Sequence, residues 1–185
     1  MKRSRDFKVV HLFDDERIGL EARASSEDRL AVKIELRLLA CSAQIQKVVR
    51  ARLRQRFGTT LPRFDYLAQL ERHRRGLRMN TLSRYLMVTG GNVTGLTDQL
   101  VAQGWVERVF DPGDRRSYIV RLTGEGRKYF ARLAAAHREW VTELIQGFGA
   151  AHEEALYELL GRLRVHLAHR DAGAHAKKEG RAMKT

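Results

Sequence analysis

The chain has 185 residues, 43% of them hydrophobic, with 35 Lys and Arg against 22 Asp and Glu and a formal net charge of +13. That supplies one core with extensions, and so basic a balance points to a polyanion: nucleic acid or an anionic membrane surface. A lone cysteine, Cys41, excludes an intrachain disulfide and any cysteine metal cage, and no stretch approaches the ~18 apolar residues of a membrane span.

Residues 1–27 mix charges without a period and read as an extended arm. The opening MKRSRDFKVV is basic but lacks the apolar run of a signal peptide. The expectation is a soluble, cytoplasmic chain. From residue 28, Leu30, Ile34, Leu38, Cys41, Ile45, Val48, Leu53 and Phe57 recur at steps of mostly three or four, one face of a helix. Ser26 or Asp28 is its candidate cap and Gly58 its stop. At 1.5 Å per residue this helix is on the order of 40 Å long, more than a small lobe can cover, so a partner helix from a second subunit is expected.

Pro62 marks the first turn of the next helix, with Phe64, Leu67, Leu70 and His73 as its buried stripe. After Gly76, a short helix over 80–86 turns Leu82, Tyr85 and Leu86 inward. MVTGG makes a turn, and a helix over 91–103 carries Val93, Leu96, Leu100 and Val101 before Gly104 stops it. The period then changes to two. Strands over 105–110 and 117–122 flank the loop DPGDRRS, whose Pro-Gly turn chemistry makes a hairpin with a basic tip. Thr123 caps a helix holding Phe130, Leu133, Trp140, Val141, Leu144 and Phe148, which Gly147 and Gly149 break. A last helix over 152–169 runs through Leu156, Leu159, Leu160, Leu163 and Leu167, and residues 171–185 read as a disordered basic tail. The positive charge is concentrated: residues 31–75 hold eleven Lys and Arg against Glu35, Asp65 and Glu71.

Helix, short helix, turn, helix, basic hairpin, helix is a winged helix-turn-helix order. Residues 61–127 resemble the MarR family of transcriptional regulators. LPRFDYLAQL is similar to that family's second helix, NTLSRYLMVTGGNVTGLTDQLVAQGWVERV to its helix-turn-helix, and DPGDRRSYIVRLTGEG to its wing and the Leu-Thr-x-x-Gly start of the fifth helix. The resemblance covers roughly residues 28–168. It implies a mainly α fold with a small β-hairpin wing and a long helical dimerisation region. Residues 28–60 are then a dimerisation and ligand-pocket helix, 61–125 the winged DNA-binding lobe, and 126–170 the C-terminal dimerisation helices.

The residues themselves suit that role. Gly90 and Gly91 let a helix start approach another molecule closely, and free N–H groups there favour phosphate oxygens. Asn92 and Thr94 are short enough for a major groove. By resemblance, Asn92, Thr94, Gly95 and Thr97 read bases or line the groove, while Thr89 and Gly91 contact phosphate. The basic residue that many relatives carry is absent at Gly95, which argues against guanine readout from there. In the wing, Asp114 and Arg116 fit the family's Asp-x-Arg spacing. Asp114 would orient the arginine and Arg115 project towards the minor groove, where arginine reads width more than bases.

The resemblance also implies a homodimer on double-stranded DNA, a repressor released from a pseudo-palindromic operator by a small aromatic anion. Arg37, Arg50 and Arg63 could grip a larger polyanion such as an aromatic acyl-CoA thioester, with Tyr66 and Trp140 as aromatic walls. Those arginines could equally face flanking phosphates or solvent, and both aromatic rings could be core. Two other readings remain: a winged-helix protein-interaction module without specific DNA binding, and a redox-sensing repressor acting through Cys41, which otherwise reads as a buried small hydrophobe. His166 and His169 lack further ligands, HEEAL lacks the second histidine of a zinc protease, and GEGRKY is no dinucleotide loop. No enzyme, metal or cofactor is expected.

Overall fold

A computed structural model describes residues 29–86, 90–111 and 113–182, and the side chains of all of these except 114–116 and 171–182. The expected arm, the caps Ser26 and Asp28, and the phosphate contact Thr89 lie outside the described residues. Two units are distinguished, Met1–Val141 and Thr142–Thr185. In order the elements are α1 (Leu30–Phe57), α2 (Leu61–Arg72), β1 (Leu77–Arg78), α3 (Met79–Leu86), α4 (Gly90–Ala102), β2 (Val106–Asp111), β3 (Asp114–Leu122), α5 (Gly124–Ile145) and α6 (Ala150–Ala182). Among the described residues, six helices and one small antiparallel sheet give the expected mainly α winged architecture.

The core of the first unit is built where helical stripes meet the sheet. Leu53, Leu67, Leu70, Leu82, Leu100, Leu122 and Leu133 are at most 1% exposed. Each such leucine contributes on the order of 1.5–3 kcal/mol by leaving water. β3 lies between β1 and β2, in the order β1-β3-β2. Val106 faces Leu122 and Phe110 faces Tyr118, with an irregularity between Phe110 and Asp111.

β1 has no counterpart among the expected elements. Gly76 creates it: its φ of 96° turns the chain sharply, and its N–H donates to the His73 carbonyl at 2.8 Å. A Cβ there would come within 2.9 Å of both Ile119 Cδ1 and the Val120 carbonyl oxygen, so only glycine lets Leu77 reach its partner Val120. Gly126 has a similar role in α5. A Cβ there would lie 1.9 Å from the Trp105 carbonyl oxygen. That close approach lets Trp105 stack on Tyr129 with ring centroids 3.8 Å apart.

Several local expectations need correcting. Arg29, not Ser26 or Asp28, stands at the start of α1 and makes no side-chain cap bond. Of the periodic face of α1 only Leu53 is buried, and the valine that joins it in the core is Val49 rather than Val48, while Leu30, Ile34, Leu38, Cys41 and Ile45 are exposed. Tyr85 is half-exposed rather than inward and stacks on His73. The wing loop is shorter than DPGDRRS, because β2 extends to Asp111 and β3 begins at Asp114. The stretch 171–182, expected to be disordered, continues α6 to Ala182. Its Ala, Lys and Glu content favours helix strongly enough to carry the chain through Gly173 and Gly180. Thr123 does cap α5: its Oγ1 accepts from Gly126 N–H at 2.9 Å and donates to the Gly104 carbonyl at 2.7 Å.

Candidate nucleic-acid interface

α4 presents two unlike faces. Val93, Thr97 and Leu100 are buried, while Gly90, Gly91, Asn92, Thr94 and Gly95 are exposed. The exposed glycines are unusual. None of the three has positive φ, and a Cβ on any of them would meet nothing within 4 Å. No described residue therefore calls for glycine at these positions. At a helix interior such as Gly95 it costs about 1 kcal/mol relative to alanine. Thr94 Oγ1 donates back to the Gly90 carbonyl at 3.1 Å, which leaves its lone pairs directed outward.

Thr97, expected among the base-reading residues, is instead a core residue with no exposed surface. Its Oγ1 donates to the Val93 carbonyl at 2.7 Å and lies 2.5 Å from the Tyr66 hydroxyl. Tyr66, expected as a ligand wall, is fully buried by the same contact. Burial pushes the Tyr66 hydroxyl up to about 12, against the opposing effect of its hydrogen bond with Thr97, so the group stays neutral and donates its proton to Thr97 Oγ1. Trp140, the other expected wall, is buried against Phe57 with ring centroids 6.2 Å apart.

Three consecutive α4 residues thus reach two neighbouring elements. Thr97 meets Tyr66 of α2, and Gln99 Oε1 accepts from Arg63 of α2 at 2.7 Å. Asp98 accepts from Arg108 of β2 at 2.5 Å. The helix that carries the exposed glycine face is held on both flanks. Arg63 is accordingly engaged with α4, while Arg50 donates to Gln46 one turn away at 2.7 Å. Arg37 and Arg50 are thirteen residues apart on one helix, about 20 Å at 1.5 Å per residue, so α1 does not gather them around a small anion.

The hairpin is anchored by a carboxylate that sequence reasoning passed over. Asp111 accepts from Gly113 N–H at 2.9 Å and from Arg78 Nε at 2.6 Å. The Gly113 backbone bond, then Arg78, hold the Asp111 carboxyl below the usual range. It ties the turn to β1, which was itself unforeseen. Asp114, Arg115 and Arg116 open β3 immediately after the turn, and their side chains lie outside the described residues. On the strands, Arg121 Nε donates to Glu107 across the pair at 2.7 Å. No group of three or more potential metal ligands clusters among the described residues, and none of the described helices is long and apolar enough to cross a membrane.

An exposed polar helix N-terminus set beside a hairpin in this order is the arrangement of a winged helix-turn-helix regulator, and known proteins bear that out. A profile of the MarR family matches residues 57–117. The transcriptional activatory protein BadR of Rhodopseudomonas palustris is 32% identical over 120 residues, 64% of this chain and 68% of that protein. The chain belongs to the MarR family. This MarR-family chain is also 33% identical over 108 residues to the HTH-type transcriptional regulator PecS of Dickeya dadantii, covering 56% of itself and 64%, just under two thirds, of that regulator. A MarR family transcriptional regulator from Silicibacter pomeroyi has the same fold, with a TM-score of 0.63 at 29% identity over 77% of this chain and 99% of that one.

Proposed function

We propose that two copies of this chain pair through the exposed apolar residues of α1 and of α6, bind a pseudo-palindromic operator and repress transcription from it. The two α4 helices would enter successive major grooves about 34 Å apart. Asn92, Thr94 and Gly95 would face base edges, and the Gly90–Gly91 backbone would face phosphate. Arg115 and Arg116 at the start of β3 would approach the minor groove, with Asp111 holding the turn and Asp114 beside them.

The observation that carries this reading is the glycine face of α4. Among the described residues nothing requires glycine at Gly90, Gly91 or Gly95, which supports a reason that approaches from outside. A duplex is the fitting partner. Its groove edges demand close backbone approach, and the chain's +13 charge favours it.

Release is assigned to an aromatic acid or its CoA thioester. The arginines of α1, strung over about 20 Å between Arg37 and Arg50, suit a long polyanion better than a compact one. Arg63 is the coupling point: an anion that draws it off Gln99 removes one of the two side-chain bonds that hold α4 to α2.

Mobility shifts against a duplex selected from a random pool, at several salt concentrations, test the DNA reading. The expected result is preference for the selected duplex and a log–log salt slope corresponding to several phosphate contacts. Equal binding to unselected duplex would overturn it and leave a protein-interaction module. The effector assignment is checked by thermal stabilisation with aromatic acids and their CoA thioesters, and fails if neither class raises Tm.

A further inference from the structure

Phe110 and Tyr118 stand 61% and 49% exposed on the wing hairpin. They are direct partners across β2 and β3, with ring centroids 4.7 Å apart and planes tilted by 30°. A cross-strand aromatic pair can stabilise a hairpin by itself, but two large rings left this open point to a further partner.

Their position indicates which partner. Alternate residues of a strand share a face, so Phe110 lies on the same side as Arg108 and Val106. Tyr118 likewise shares a side with Val120 and Leu122. That side begins in the core, where Val106, Val120 and Leu122 are at most 2% exposed. It then passes Arg108, whose bond to Asp98 attaches it to α4. It ends in the two open rings, next to the turn that leads into Arg115 and Arg116. The other side at the same height is partly covered, since Ile119 lies against Gly76. Along this side the rings therefore come after Arg108, the residue bonded to α4, and just before the turn that precedes Arg115 and Arg116.

The geometry points to Phe110 and Tyr118 as an apolar platform that packs against the deoxyribose rings of the DNA strand bordering the minor groove. This rests on the DNA-binding reading above and deepens it. Sugar and phosphate contacts set register and orientation on a duplex, and a rigid paired ring surface makes such a contact sensitive to groove width. Arg115 and Arg116 at the start of β3 would supply charge, while the rings supply shape. A protein partner seated on the rings would lie in the gap between two elements that both face the duplex.

The test uses the full-length chain and the duplex selected by the wild type. The double variant Phe110→Ala/Tyr118→Ala is expected to bind about tenfold more weakly, with the salt slope unchanged, because no phosphate ion contact is lost. Wild-type affinity in the double variant overturns the inference, as does a reduced slope, which would mark the loss of ionic contacts instead. In a second measurement, Tyr118→Trp should show a change in indole emission, relative to the wild-type background, when the duplex is added. An unchanged emission at saturating duplex overturns the inference even if the double variant fails to fold. Should the wild type itself not prefer any duplex, the DNA-binding reading falls first; if it does prefer one and the rings do not matter, only this inference falls.

Discussion

Leu67, Leu82 and Leu100 are fully enclosed by their own chain, whereas Leu30, Leu159 and Leu167 stand 72%, 61% and 52% exposed. Apolar residues recur at steps of three or four in both groups, so that spacing alone does not separate them. What differs is the supply of neighbours. The winged lobe folds short elements back on one another, and each apolar stripe meets another within a few dozen residues. α1 is 28 residues long and α6 is 33, lengths no small lobe can cover. An amphipathic helix with an uncovered stripe needs another helix, and for this chain a second copy is the proposed cover.

Paired leucine truncations would break that comparison if it is wrong. Leu100→Ala removes a fully buried side chain and should cost about 3 kcal/mol in urea unfolding. Leu159→Ala should change the unfolding free energy of the isolated chain by less than about 0.5 kcal/mol, yet weaken self-association in sedimentation. A large loss of stability at Leu159 in dilute, monomeric protein would show that its neighbours lie within its own chain.

A smaller effect is expected at the buried hydroxyls. Thr97→Val keeps the shape and removes the oxygen, which leaves the Tyr66 hydroxyl without its partner in the core. An unsatisfied buried hydroxyl costs about 1–3 kcal/mol. Adding Tyr66→Phe should recover most of that loss, because the pair is then replaced by apolar atoms of nearly the same form. If the double variant is no more stable than Thr97→Val, the Tyr66–Thr97 bond at 2.5 Å does not act as a mutually satisfied pair.

Thr97 also shows how legible the site was. It lies on the stripe of Val93 and Leu100, four residues after one and three before the other, so helical spacing alone marked it as inward. Resemblance to groove-reading positions outweighed that spacing and misplaced it. The helices were legible because 3.6-residue periodicity is local, and Thr123 because a cap is local too. β1 was not, since two residues carry no period and their pairing with β3 is decided by the backbone turn at Gly76. Asp111 was missed for the same reason: its partner Arg78 is 33 residues away. Asp114, by contrast, is legible through the family's Asp-x-Arg spacing.

The smallest effect in stability is the sharpest for function, because it sets one open glycine against another. Gly95 on α4 and Gly161 on α6 both sit within helices, and a Cβ on either meets nothing within 4 Å. Replacing each by alanine should therefore stabilise the fold by about 0.5–1 kcal/mol, as the unfolded chain loses freedom and the helix gains a better former. Their consequences should part at the duplex. A methyl on Gly95 stands where backbone must approach base edges, and Gly95→Ala should weaken binding to the selected duplex while raising Tm. Gly161→Ala should raise Tm and leave affinity alone. If Gly95→Ala binds as the wild type does, the glycine face of α4 is not where DNA comes closest, and the reason for glycine there must be sought elsewhere.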